Sequence, residues 1–115
     1  VGTILFNMVV HPTTGNVYVT NTEARNEVRF EGFGNLSGSS VIGRLHQARV
    51  TVLDIAGIGT VEPRHLNKHI DYDTAPSPPG VADVALASPM GMALDATAGK
   101  LYVAAFGSSK VGVYD

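Results

Sequence analysis

Residues 8–21, MVVHPTTGNVYVTN, align without a gap on residues 92–105, MALDATAGKLYVAA. Thr13, Gly15, Tyr18 and Val19 fall on Thr97, Gly99, Tyr102 and Val103. The correspondence resumes where residues 49–54, RVTVLD, match residues 110–115, KVGVYD. Repetition of short β-type stretches along one chain marks an array in which no unit buries its apolar face alone. This repeat constrains the architecture far more than it constrains any activity.

Each copy reads as consecutive antiparallel strands. In the second copy, residues 91–95 form a short apolar strand and 96–99 a turn. Gly99 stands where a left-handed backbone is needed. Residues 100–106, rich in Val and aromatics, form the next strand, and 110–115 the third after a turn at 107–109. The first copy gives strands over 4–11, 16–22 and 49–55. A fourth is expected over 60–66, where Pro63 suits an outer edge. Gly, Pro, Thr and Val interrupt every candidate helix. The expected fold is all-β, with antiparallel β-meander blades of an incomplete β-propeller. Tyr18 and Tyr102 are expected at equivalent positions, each ring packing between adjacent sheets. Met8, Met90 and Met92 read as core filler.

On these residues the chain resembles the YVTN-type β-propeller repeat family. Tyr18, Val19, Thr20 and Asn21 match the signature, and residues 100–105 match it more loosely. The closing VTVLD and VGVYD resemble that family's third strand. The resemblance covers about half of the chain. It implies that residues 1–115 are a fragment of a single propeller domain. The first blade would span about 1–75 with an insertion at 23–48, and the second, incomplete, about 86–115. It further implies a binding or interaction scaffold within a larger exported protein, periplasmic or extracellular. Its partners would be the remaining blades. The alternative is a redox assembly, since YVTN-like propellers with expanded loops resemble modules joined to c-type cytochrome or peroxidase-like domains. The haem would then lie outside this segment. A start at Val1 without Met, and a stop directly after a strand, fit a piece of a longer protein.

Composition narrows the function classes. The net charge of −2 gives no basic patch of the kind nucleic acid requires. No apolar run reaches the roughly 18 residues needed to cross a bilayer. The chain has no cysteine, which excludes a disulfide, a thiolate metal site and an attached c-type haem in this segment. No nucleophile elbow, phosphate-binding glycine loop or dinucleotide fingerprint is present. No cofactor is expected within these residues, and the segment reads more as a binding module than as an enzyme.

Spacing locates the extra chain. The motifs are offset from position 8 to 92, whereas the third strands are offset from 49 to 110. The difference is an insertion within 23–48. A smaller insertion is expected within 67–89, which carries Pro76, Pro78, Pro79 and Pro89. By strand parity, the loops after the second and fourth strands leave the sheet at one end, and the short turns lie at the other. Enlarged loops on a rigid scaffold are where binding tends to be placed.

The polar residues singled out on that face are Arg25, Arg29, Arg44, His46, His65 and His69. Charges alternate over Glu23, Arg25, Glu27, Arg29 and Glu31, so an extended strand would put all five on one side. That is the pattern of a solvated hairpin arm or of a polar recognition wall. His65 and His69 would share a helix face and could hold a metal there. On a strand they would sit about 13 Å apart, and the strand-like context favours the strand. A hydrolase or lyase using His46, His65 or His69 is the weakest reading. His11, aligned with Asp95, reads as a turn residue.

Overall fold

The computed structural model describes residues 2–25, 46–55, 57, 59–72, 74 and 77–115. These residues form two antiparallel meanders. The first is a four-stranded sheet of β1 (Ile4–Val10), β2 (Val17–Ala24), β3 (His46–Leu53) and β4 (Val61–His65), in chain order. The second is a three-stranded sheet of β5 (Pro89–Asp95), β6 (Lys100–Ala105) and β7 (Lys110–Tyr114). The only helices among the described residues are a single turn, α1 (Val81–Val84), and a 3-10 turn at Phe106–Ser108. The fold is nearly all-β, in keeping with an incomplete propeller-like arrangement.

The sequence repeat is also a repeat of register. Val9 pairs with Tyr18 in the first sheet, as Ala93 pairs with Tyr102 in the second. Tyr18 in turn faces Val52, as Tyr102 faces Val113. Even the irregularity recurs. A bulge falls between Leu5 and Asn7, and another between Pro89 and Gly91, which the alignment makes equivalent. A bulge adds a residue to one strand and sharpens its twist, so its recurrence at one register position marks a shared curvature.

The two hairpin turns use different chemistry for the same purpose. The backbone N–H groups of Thr13 and Thr14 donate to Nδ1 of His11, both at 3.2 Å. Those of Thr97 and Ala98 donate to Oδ1 of Asp95, at 3.0 and 2.9 Å. A side-chain acceptor at the first turn position satisfies donors that the ladder leaves open. Gly15 and Gly99 follow with φ of 76° and 64°, the left-handed conformation that glycine adopts without strain.

Directly paired residues share a sheet face. Tyr18, Val50 and Val52 therefore project from one side of the first sheet, and Leu94, Leu101, Val103 and Tyr114 from one side of the second. These sides meet. The buried core joins Ala48, Val50 and Leu66 to Leu86, Leu101, Val103 and Ala105, with Tyr18, Met92, Leu94 and Tyr114 packed against it. The link between the sheets is fastened by Asn67. Its side chain donates to the Leu86 carbonyl at 2.7 Å and accepts from the Leu86 N–H at 2.8 Å. Leu86 then enters the core over Gly112, where a Cβ would stand 2.6 Å from Leu86 Cδ1.

Several expectations need correction. β3 begins at His46, so residues 46–48 and 23–24 belong to the β2–β3 ladder and not to an insertion. Tyr102 does occupy the position of Tyr18, but its ring is not packed between sheets. It lies on the far side of β6, where the described residues supply no neighbouring sheet, and it is 38% exposed. Met8 and Met90 are exposed: the register of Met8 points it away from the core, and Met90 falls in the bulge of β5. Met92 alone of the three packs on the core. Finally, β4 stops at His65 and residues 66–69 turn, so His65 and His69 share neither a helix nor a strand.

Candidate functional site

Strand parity places several of the candidate residues at one end of the first sheet. Ala24 at the end of β2 pairs with His46 at the start of β3, and His65 closes β4 opposite Arg49. Arg25 follows Ala24 and is half-buried. The turn 11–16, and residues 54, 55, 57, 59 and 60, lie at the opposite end. Arg29 and Arg44 fall outside the described residues, as does most of the alternating charge run.

A shared end is not a shared site. The pairing of His46 with Ala24 and of His65 with Arg49 puts the two imidazoles on opposite faces of the sheet. His46 and His69 are exposed. His65 is half-buried. Its Nδ1 accepts from the Asn67 N–H at 2.8 Å, and its ring stands edge-on to Tyr72 with centroids 6.1 Å apart. Among the described residues, no group of three or more His, Cys, Asp or Glu side chains is placed to hold a metal ion.

The polar chemistry at this end is largely internal. Arg49 donates through Nε and Nη2 to Gln47 Oε1, at 3.1 and 2.6 Å, and forms an ion pair with Glu23. Burial pushes the Arg49 guanidinium below its usual range. The three residues form a fixed network behind Asn21, whose Nδ2 donates to Thr51 Oγ1 at 2.6 Å in the sheet interior.

A second feature, absent from the sequence reading, lies between the sheets. The two meanders border a cleft of about 610 Å³ that reaches from the turn end to the His65 end. One wall is the row Tyr18–Val52–Glu62 across β2, β3 and β4. The other is the row Leu94–Leu101–Tyr114 across β5, β6 and β7. Arg64 and Lys68 stand at the rim, with His11 at one end and His65 at the other. The volume falls in the range typical of small-molecule sites, roughly 300–1,000 Å³. Tyr18, Val52, Leu94, Leu101 and Tyr114 give the cleft its apolar part, and Glu62, Arg64, Lys68 and Asp115 its charges.

These charges are mostly paired. Glu62 is paired with Arg64 and Asp115 with Lys100. That pairing raises the Lys100 ammonium above its ordinary value, chiefly through the hydrogen bond to Asp115. Burial likewise raises the Tyr114 phenol above 10.0, so it stays protonated and able to donate. Of the six polar residues expected at the partner face, only His65 borders this cleft among the described residues. Alternation of Glu62 and Arg64 with Val61 and Pro63 was the available signal for β4's polar side. The packing of one sheet on the other, which forms the cleft, has no local signature.

No known protein family, curated protein or solved structure matches the chain in comparisons with each. Among the described residues, no helix is long and apolar enough to cross a membrane.

Proposed function

We propose that this chain is part of a binding or interaction scaffold of the propeller type, built from YVTN-like repeats and belonging to an exported protein. One observation carries the reading. The Tyr18 side of the first sheet packs on the second sheet, while the equivalent Tyr102 side of the second sheet is uncovered and apolar. Val111 is 63% exposed and Val113 55%, and Met90 and Phe106 are exposed beside them. A face that repeats a docked surface calls for a further meander of the same repeat. The opposite side of the first sheet shows the same need, with Leu5, Met8, Val10 and Val61 exposed. Such a scaffold presents its loops, and the end bearing Arg25, His46, His65 and His69 is the partner face in this reading.

The test is to append a second copy of residues 86–115, carrying Tyr102→Phe in the appended copy, and to map tyrosine nitration by mass spectrometry at concentrations low enough to keep the chain monomeric. Tyr102 in the unextended chain should then react readily. In the extended chain its reactivity should fall to that of Tyr18. Unchanged reactivity of Tyr102 in a folded extended chain would defeat the proposal.

A further inference from the structure

The inter-sheet cleft combines apolar side chains with polar groups, and each of its two carboxylates already has a cationic partner. Glu62 is bonded to Arg64, and Asp115 to Lys100. Lys68 forms no bond among the described residues and stands exposed at the rim. His11 uses Nδ1 to accept the N–H groups of Thr13 and Thr14, which leaves the ring proton on Nε2 as a donor. The phenols of Tyr18 and Tyr114 add two hydroxyls from opposite walls. Between them lie Val52, Leu94 and Leu101, with no charge.

We propose that this cleft is a binding site for a flat aromatic carboxylate, its ring held between the Tyr18 and Tyr114 walls and its anionic group taken by Lys68. The chemistry selects each part of the ligand. A floor of branched aliphatic side chains flanked by two phenol rings favours a planar apolar body, through area removed from water and ring-on-ring contact. Lys68, without a partner among the described residues, favours an acceptor group on that body. An ammonium at the rim makes the favoured acceptor an anion, since a charge-assisted hydrogen bond is about twice as strong as a neutral one. A cationic ligand is less favoured, because both cleft carboxylates are already charge-paired, Glu62 with Arg64 and Asp115 with Lys100. The inference names a ligand class within the scaffold reading, but it depends only on the cleft. The nitration test of the Tyr102 face can fail while this one succeeds, and the reverse.

The experiment is an NMR titration of the chain with 2-naphthoate, repeated with uncharged 2-naphthamide and with the non-aromatic cyclohexanecarboxylate. Saturable shifts are expected at Tyr18, Val52, Leu94, Leu101 and Tyr114. The amide and the non-aromatic acid should each bind about fivefold or more weakly. Lys68→Met should lower naphthoate affinity to that of the amide and leave amide binding as it was. Because Lys68 is exposed and unbonded, this variant should keep the parent's far-UV spectrum. Shifts centred on Tyr102, Val111 and Val113 would overturn the proposal. So would equal affinity for acid and amide, or a Lys68→Met chain that binds naphthoate undiminished.

Discussion

At the scale of single residues, two contacts hold the sheets together, and both can be measured. Asn67 satisfies the N–H and the carbonyl of buried Leu86 at once. Asn67→Ala leaves both without their side-chain partner, and a buried unsatisfied backbone group costs about 1–3 kcal/mol. Urea unfolding should show a loss in that range, and a change under 0.5 kcal/mol would mean that water replaces the amide freely. Gly112 meets Leu86 from the other side. Gly112→Ala puts a methyl group where Leu86 Cδ1 already stands, and overpacking of this kind costs about 1–3 kcal/mol. Shortening the neighbour should relieve it, so Leu86→Val added to Gly112→Ala should cost less than the two changes summed. A strictly additive double mutant would deny the contact. Tyr114 adds a pH dependence. Its folded-state value is raised by burial, so the folded chain holds this proton more tightly than the unfolded one. The associated stability is fully present below the unfolded value of 10.0 and is lost as pH rises through the folded value. Tyr114→Phe should therefore lose less stability than the parent between neutral pH and pH about 11. Parallel alkaline curves for the two chains would count against it.

Elements show how far the sequence could be read. Every strand expected from the repeat is present, since β-branched and aromatic residues at period two leave little alternative once neighbours supply a face to bury. Turn chemistry was legible as well. Alignment of His11 with Asp95 marked a turn position, and both side chains accept from the two N–H groups that follow. The equivalence predicts that His11→Asp is tolerated within about 0.5 kcal/mol, whereas Asp95→Ala costs about 0.5–1.5 kcal/mol. Thermal unfolding of the two variants decides it, and a larger loss from His11→Asp would break the correspondence. What escaped the sequence is non-local. The four-residue helix α1 is too short to leave a periodic signal. Pairing of β4 ends at His65 because Asn67 turns to grip Leu86, a residue 19 positions away. The cleft depends on the packing of one sheet on the other, which no local pattern records. Parity correctly placed the roots of the long segments at one end, yet it carries no information on which face of the sheet His46 and His65 occupy.

For the whole molecule, the governing fact is the mismatch between what the two sheets bury in each other and what they leave uncovered. The sheets meet through one face each, and the core cluster lies wholly at that junction. The outer faces keep the same β-type side chains, among them Tyr102, Val111 and Val113 on one side and Met8 and Val10 on the other. Exposed apolar surface of this extent marks an interaction site or an aggregation hazard. Here the two faces differ, so a copy that docks its Met8 side onto the Tyr102 side of another makes a head-to-tail contact. Contacts of that type close into a ring if the rotation permits and otherwise continue as an open chain of copies. The chain alone should therefore associate in a concentration-dependent way, with species larger than dimers visible by sedimentation velocity. Val111→Lys together with Val113→Lys places two ammonium groups on the Tyr102 face, at exposed positions of its edge strand β7. Charges of this kind on an edge are a recognised means of blocking sheet association. The double variant should sediment as a monomer and keep the parent's strand content. A variant that associates as strongly as the parent would show that some other surface carries the contact. A parent that stays monomeric at high concentration would show that these faces, though apolar, are not complementary enough to stack without a dedicated partner sheet.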